Sequence, residues 1–322
     1  MRLTKTAKGM AVLACLLFLV GVAPILGSAK EKYEEKFAKT VSLARDGEVI
    51  LDNVSGSVEV KTWDKGEVKI DATKISRAST LSKAKENAAK VEIIVEKEGD
   101  SLRIETKYPE RKGRHWGEDS LNVSVSYWVM IPSKAAVKID VTSGDVDIEG
   151  IGGMAKAKVT SGRVELRKAS QGVDLDVVSG GIDVRDVTGN AYLHTVSGNI
   201  TAERIIGSIK ATVVSGDIDL SDVSEADTVE AKMTSGSISY EGKIRSGGRY
   251  TLTNHSGSVE MIVPASSGFE FEAKTFSGRI YSDFEVKVSG EISKRRFSGV
   301  VNDGGAIVEL TTFSGNIYLK KR

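Results

Sequence analysis

The sequence predicts an all-β protein, a parallel β-solenoid (β-helix) of about ten coils that follows an N-terminal β-rich capping region containing one short helix. The first observation is a dipeptide tag, Ser-Gly, which recurs at steps of 18 to 21 residues with a last step of 16. A fixed period near 20 residues is typical of a solenoid or array. The recurring tag serines are Ser143, Ser161, Ser179, Ser197, Ser215, Ser235, Ser256, Ser277, Ser298 and Ser314.

The second observation is a period-two alternation of apolar and polar residues inside each repeat. In one repeat, Ile182 and Val184 alternate with charged residues, and Ala191 and Leu193 follow a turn near Gly189. Such alternation indicates strands with one buried face, so each repeat is predicted to hold two short strands and two tight turns. An antiparallel sandwich or barrel is the alternative. The constant phase of the tag favours the solenoid, because a hairpin meander has no need to repeat its residues.

The tag has a structural interpretation. Glycine permits a positive φ or a tight bend, and the serine falls in phase with inward residues such as Val141 and Val159. We therefore expect the serine hydroxyl to hydrogen-bond turn backbone or a stacked neighbour. A column of nucleophilic serines is the alternative, but no column of histidines accompanies it and the sequence contains no Gly-x-Ser-x-Gly motif.

The capping region is predicted from its elements. Thr80 is placed to cap a helix from Leu81 to Lys90. Strands are predicted at Val91–Glu96, Ser101–Lys107 and Leu121–Ile131. These elements are expected to shield the open end of the first coil, as repeat proteins require for solubility.

The chain begins with a predicted secretory signal peptide. A basic start precedes an uncharged, largely apolar run of 17 residues and a small-residue end. An uncleaved anchor is the alternative and would be the only contact with a membrane. The protein is thus expected to be exported, to the periplasm or the cell surface. The segments are the signal peptide (1–29), a charged lead-in (30–40), the N-terminal β-rich capping region (41–135) and the solenoid repeats (136–322).

Composition excludes several classes of protein. The 45 basic and 44 acidic residues leave a net charge of +1, which argues against a nucleic-acid partner. One cysteine excludes a disulfide framework, and three scattered histidines leave little room for a metal enzyme. We expect no cofactor and no catalytic residue.

The residue before each tag serine is predicted to point outward and to form a strip along the solenoid. The strip is β-branched at first and becomes aromatic toward the C-terminus, where we predict a contact surface at Phe276, Phe297 and Phe313 for an envelope protein, a glycan or a second copy. Side-chain stacking between coils is the alternative. The strip residues are Thr142, Thr160, Val178, Val196, Val214, Thr234, His255, Phe276, Phe297 and Phe313.

A second outward column is acidic. Asp147, Glu165 and Asp183 are expected to lie about 5 Å apart in successive coils, which is unfavourable for like charges. A weakly bound cation such as calcium would relieve the repulsion. Solvation beside nearby arginines is the alternative, and the Gly-Gly-x-Gly-x-Asp calcium pattern is absent.

A resemblance extends from Val41 to the C-terminus. The segments Asn53–Val60 and Trp63-Asp64, a short Ala-rich helix, Val125–Pro132 and repeated Val-Ser-Gly-x-Ile follow one another. This order resembles a bacterial family of exported β-strand-repeat proteins known as a domain of unknown function and "putative adhesin". The resemblance implies a β-helical fold, a cell-envelope location, a link to envelope stress in some members and no catalytic residues.

Three classes of function follow. A non-catalytic binding or structural scaffold of the cell envelope, adhesin-like, is favoured. An envelope-stress sensor or regulator is the first alternative. A carbohydrate-active β-helix enzyme is the second, and it requires paired carboxylates in one groove, whereas the acids here are spread evenly along columns.

Overall fold

The computed structural model describes residues 30–109, 121–288, 293 and 295–322. The predicted signal peptide, residues 1–29, lies outside the described residues, and its cleavage stays a prediction. Within the described ranges, no helix is long and apolar enough to cross a membrane. These ranges are dominated by β-strands, which confirms the all-β class.

The N-terminal part contains the predicted helix. The hydroxyl of Thr80 accepts a hydrogen bond from the backbone N–H of Lys83 at 3.2 Å, and the helix buries Ala84 and Ala88. The N-terminal cap and the burial of Ala84 and Ala88 are therefore those that the sequence indicates, whereas Leu81, which the sequence places on the same apolar face, is 53% exposed. The elements of this part are β1 (Glu31–Ser42), β2 (Glu48–Ser55), β3 (Val58–Trp63), β4 (Glu67–Ala78), α1 (Leu81–Ala89), β5 (Glu92–Glu98), β6 (Ser101–Lys107) and β7 (Val123–Pro132).

The repeats supply two strands to each coil until the chain nears its C-terminus. The strands are β8 (Ala136–Ser143), β9 (Val146–Ile151), β10 (Ala155–Ser161), β11 (Val164–Ala169), β12 (Val173–Ser179), β13 (Ile182–Thr188), β14 (Ala191–Ser197), β15 (Ile200–Ile206), β16 (Ile209–Ser215), β17 (Ile218–Val223), β18 (Thr228–Ser235), β19 (Ile238–Gly242), β20 (Arg249–Ser256), β21 (Val259–Val263), β22 (Phe269–Ser277), β23 (Ile280–Ser282), β24 (Lys287–Val288), β25 (Arg296–Val301), β26 (Ala306–Ser314) and β27 (Ile317–Lys321).

The strands form two long sheets. Sheet 1 has 14 strands in the order β24-β25-β22-β26-β20-β18-β16-β14-β12-β10-β8-β2-β6-β5. Sheet 2 has 13 strands in the order β1-β4-β7-β3-β9-β11-β13-β15-β17-β19-β21-β27-β23. Each coil therefore contributes its first strand to sheet 1 and its second to sheet 2.

Neighbouring coils are parallel and in register, which confirms the solenoid. Ala157 lies opposite Leu175 in sheet 1, and Leu166 lies opposite Val184 in sheet 2. Parallel pairing of this kind is incompatible with the hairpins of an antiparallel sandwich or barrel. Nine of the predicted tag serines and Ser55, which begins an earlier Ser-Gly dipeptide at the end of β2, form one column of ten tag serines. Their spatial order is Ser55, Ser143, Ser161, Ser179, Ser197, Ser215, Ser235, Ser256, Ser314 and Ser277.

The inward side chains of both sheets meet in one continuous hydrophobic core of valine, isoleucine, leucine and alanine. The inward position two residues before the tag serine is polar in several coils. There Thr195 donates to the carbonyl oxygen of Gly180 at 2.9 Å, and Asn254 donates to that of Gly236 at 2.7 Å. Since an unpaired buried polar group costs about 1–3 kcal/mol, these bonds satisfy the donor groups of the two side chains and tie adjacent coils together. The buried amide oxygen of Asn254 has no partner among the described residues.

The tag glycine turns the corner between the two sheets. Its φ is +143° at Gly180, and a Cβ there would overlap the carbonyl oxygen of Gly162 in the neighbouring coil. The predicted role of glycine is thus confirmed, with close stacking of backbones as an added reason. The predicted inward placement of the tag serine is wrong. The corner separates the inward residues Val159 and Val164, and Ser161 between them is exposed.

At the N-terminal end, the coils do not follow chain order. The coil formed by β6 and β7 lies outside the coil of β2 and β3, which in turn adjoins β8 and β9. The segment 30–40, expected as a charged lead-in, instead forms most of β1, an edge strand that pairs antiparallel with β4. These elements cover the end of the solenoid.

At the C-terminal end, chain order is broken again. The coil of β26 and β27 lies between the coil of β20 and β21 and the earlier coil of β22 and β23. Strand β25 runs antiparallel to β22, so Ser298 lies opposite Glu272 and outside the serine column. The predicted assignment of Ser298 as a tag serine is therefore wrong.

Four phenylalanines close this end of the core, and we call them the phenylalanine plug. Phe269 contacts Phe271 and Phe284 edge to face, with ring centroids 6.2 and 5.5 Å apart. Phe271 contacts Phe297 at 5.1 Å. The enrichment of phenylalanine near the C-terminus thus serves mainly to fill the last coils rather than to extend an outer strip.

Candidate binding surface

An uncharged ridge runs along the Ser-Gly corner. It consists of two parallel columns, the ten tag serines in register and the residue that precedes each of them. Every preceding residue is exposed, for example Val178 at 48%. None of them is Asp, Glu, Lys or Arg, although 28% of the chain is charged. In spatial order they are Val54, Thr142, Thr160, Val178, Val196, Val214, Thr234, His255, Phe313 and Phe276.

The serine column of the ridge presents hydroxyl groups to solvent. Nine of its ten serines are exposed, and Ser55 is half-buried. Among the described residues, none of these ten hydroxyls hydrogen-bonds another residue. At about 4.8 Å per coil, the ridge is on the order of 45 Å long. It therefore offers a regular row of hydroxyls beside a row of β-branched methyl groups.

The ridge ends in a stack of aromatic rings. Phe313 lies between His255 and Phe276, with centroid separations of 5.0 and 4.7 Å and nearly parallel planes. This order follows the stacking of the coils and not the chain. The stacking of side chains between coils is thus confirmed here, whereas the contact surface stays a prediction at Phe276, which is 63% exposed.

Phe297, the third predicted contact residue, is placed differently. Its strand runs antiparallel to β22, and the ring packs against Phe271 in the phenylalanine plug. The expectation that it points outward beside Phe276 and Phe313 is wrong. His255 takes the third place in the aromatic stack. The sequence contains one indication of this difference, because the charged Arg296 occupies a position that the repeat pattern assigns to an inward-facing residue.

A groove of about 600 Å³ adjoins the aromatic stack. Its walls combine the ring edges, threonine hydroxyls and three basic side chains. The basic side chains are Lys274, Arg295 and Arg296. Glu272 is paired with two of them, at 2.6 Å from Lys274 and 2.8 Å from Arg296. The groove is therefore an apolar and cationic continuation of the neutral ridge.

The acidic column of sheet 2 is formed as predicted in its geometry. Glu165 lies opposite Asp147 on one side and Asp183 on the other. Arginines already neutralise part of this charge, because Arg167 pairs with Glu165 at 2.9 Å and Arg163 pairs with Asp183 at 3.4 Å. No group of three or more His, Cys, Asp or Glu within the described ranges is arranged to hold a metal ion. The bound cation stays a prediction.

Asp147 provides a test of that prediction. Burial, and next the carboxylates of Glu165 and Glu59, raise the pKa of Asp147 above its usual value. The folded state therefore disfavours the charged form of Asp147. Because the carboxylate is only partly buried and solvent screens the repulsion, Asp147→Asn should stabilise the protein at pH 7 by only about 0.3 kcal/mol. The gain should vanish as the pH falls below the ordinary carboxyl range, where the aspartate is neutral in both states. Thermal melting in the presence of a chelator measures both effects.

If the acidic column binds a cation, the effect of Asp147→Asn on stability should have the opposite sign in calcium. A bound cation would make Asp147 a ligand, so Asp147→Asn would then lower the melting temperature in calcium. Equal wild-type melting temperatures with calcium and with chelator would reject the cation.

The architecture defines an all-β solenoid repeat protein with one uncharged ridge. Residues 136–249 and 224–320 match the Toastrack DUF4097 family. The two matches together span more than half of the chain, and the chain belongs to this family. This confirms the resemblance inferred from the order of elements. No curated protein matches the chain.

Solved structures with low identity are also similar to the chain. A "putative adhesin" from Parabacteroides distasonis is 14% identical, with 89% of this chain and 97% of the other covered and a TM-score of 0.39. A "putative adhesin" from Bacteroides fragilis is 12% identical, with the same coverage and a TM-score of 0.34. A "putative cell adhesion protein" from Clostridium sporogenes is 13% identical, with 90% and 100% covered and a TM-score of 0.24. None of these names describes an enzyme.

Proposed function

We propose that the protein is a non-catalytic, adhesin-like scaffold that is exported to the cell envelope and binds a polysaccharide along its ridge. The observation that carries this proposal is the pair of uncharged columns, serine hydroxyls beside β-branched and aromatic side chains, kept in register over ten coils. A sugar chain offers the matching chemistry, since its hydroxyl groups exchange hydrogen bonds with serine and its C–H faces contact methyl groups.

The lack of charge supports a neutral polymer segment as the occupant of the ridge. Charged side chains lose hydration when a neutral chain covers them, and this loss opposes binding. Serine hydroxyls act as donor and acceptor alike, so they tolerate different hydroxyl orientations on the sugar. The loss of side-chain entropy on binding is also small, because the β-branched residues of the ridge have few rotamers to lose.

An interruption of the ridge by charges of alternating sign tests the proposal. In the test variant, Val178→Lys, Val196→Glu and Val214→Lys place opposite charges on neighbouring coils, which preserves pairing between strands. We expect at least a tenfold loss of affinity for immobilised envelope polysaccharides, measured with purified protein across a panel of neutral and acidic polymers. Circular dichroism and thermal melting verify that the variant folds.

The matched control introduces the same residues away from the ridge. Tyr192→Lys, Ile206→Glu and Ile307→Lys replace hydrophobic side chains that are 47%, 49% and 41% exposed. This variant should bind as the wild type does. Wild-type binding by the ridge variant would overturn the ridge as the binding surface. If new reducing ends or unsaturated products appeared in the polysaccharide panel, the protein would be a carbohydrate-active enzyme and not a non-catalytic scaffold.

A further inference from the structure

The groove at the C-terminal end of the ridge differs from the rest of the ridge in charge. Lys274, Arg295 and Arg296 line it, and within the described part of the chain the carboxylate paired with them is that of Glu272. Counted over the described residues alone, three cations against one anion leave a local charge of +2. Lys274 and Arg296 share Glu272, whereas the guanidinium of Arg295 forms no ion pair with any described residue. The groove is thus complementary to an anion.

The aromatic wall of the groove restricts how a ligand can approach. Both faces of the Phe313 ring are covered, one by His255 and the other by Phe276. Phe313 can therefore present only its edge to the groove. The edge of an aromatic ring carries partial positive charge, which favours a carboxylate oxygen and leaves no open face on Phe313 for a sugar ring to stack on.

The size and polarity of the groove further restrict the class of ligand that it can bind. A volume of about 600 Å³ accommodates one or two sugar rings and lies within the range of small-molecule sites. Thr253 and Thr311 add hydroxyl groups to the lining, which can bond sugar hydroxyls. The groove is also continuous with the ridge through His255 and Phe313, so one polymer can contact both.

We propose that this groove binds the carboxylate of a uronic acid residue in an acidic polysaccharide whose neutral stretch lies along the ridge. This inference rests on the proposed function of the ridge. Arg295 supplies the planar pair of N–H donors that matches a carboxylate in bidentate geometry. The ring edges of Phe276 and Phe313 exclude water from one side of that ion pair, and Lys274 and Arg296 add long-range attraction.

The experiment compares one polymer in two charge states. The full chain is tested for binding to polygalacturonate and to its methyl ester, which keeps the backbone and removes the negative charge. We expect the wild type to bind the acid form at least tenfold more tightly, with a preference that shrinks as ionic strength rises. Arg295→Gln should abolish the preference, and Arg295→Lys should restore part of it.

The control variant is Arg167→Gln, which removes an exposed arginine from β11 of sheet 2 and should keep the full preference. Equal wild-type binding of the two forms would overturn the proposal, as would an undiminished preference in Arg295→Gln. Stronger competition by polyphosphate than by galacturonate would also overturn it, because the groove would then be a phosphate site. The proposal would also be overturned if the wild type bound neither polygalacturonate nor its methyl ester.

The outcomes distinguish this proposal from the function of the ridge. If both forms bind equally and the ridge variant binds neither, the uronate site fails and the ridge function stands. If the ridge variant retains the wild-type affinity and preference for the acid form, the ridge function fails while the groove remains an anion site.

Discussion

Replacing Phe269 by alanine is expected to destabilise the C-terminal coils by about 4 kcal/mol. Phe269 is fully buried and touches two other rings of the phenylalanine plug, so truncation leaves a cavity at the centre of the plug. Because coils interact mainly with their neighbours, the loss should be local to this end of the solenoid. Denaturant unfolding gives the free energy, and hydrogen exchange shows which strands lose protection.

Phe276→Ala is the matched control for this prediction. The same atoms are removed from a ring that is 63% exposed, so we expect a cost below about 1 kcal/mol. Equal costs for the two substitutions would show that the plug does not carry the stability of this end. Uniform loss of protection across all coils would contradict the local character of the effect.

Gly180→Ala should destabilise the central coils by about 3 kcal/mol. The φ of +143° disfavours a residue with a Cβ, and the added methyl group overlaps the carbonyl oxygen of Gly162, so both strain and overpacking contribute. The measurement is again denaturant unfolding, with hydrogen exchange of β12 and β13 as the local readout.

Gly247→Ala separates the two contributions. Gly247 has a φ of +80°, but an added Cβ there meets no atom within 4 Å. Its substitution should therefore cost only the backbone strain, roughly 1 kcal/mol. If Gly180→Ala costs no more than Gly247→Ala, close stacking of the tag backbones does not constrain the choice of glycine.

The regular part of the fold was predictable because the Ser-Gly dipeptide and the alternating apolar residues occupy equivalent positions in each repeat, and these positions define the strand register. Apolar residues at equal phase predicted both the strands and their parallel pairing. The tag serine was misplaced because period-two counting assumes an uninterrupted strand. The corner between Val159 and Val164 breaks that count and turns Ser161 outward.

The C-terminal end was not predictable from the repeat alone. The segment Thr275–Tyr281 and the segment Thr312–Tyr318 are nearly identical in sequence, so neither indicates which one adjoins β20. Phe297 precedes a Ser-Gly dipeptide that imitates the tag but lies in an antiparallel strand. His255 belonged to the predicted strip, but its contact with Phe313 depends on the spatial order of the coils.

The exchanged order of the last coils creates a kinetic competition during biosynthesis. The strand β22 leaves the ribosome before β26, and both end in Thr-Phe-Ser, so β22 can dock on β20 before β26 has been synthesised. The native arrangement places β26 there, with Arg249 2.8 Å from Glu309, and places β27 on β21, with Lys320 2.9 Å from Glu260. Any β22 that docks there first must be displaced before this end reaches its native order, a step that ordinary sequential stacking does not contain.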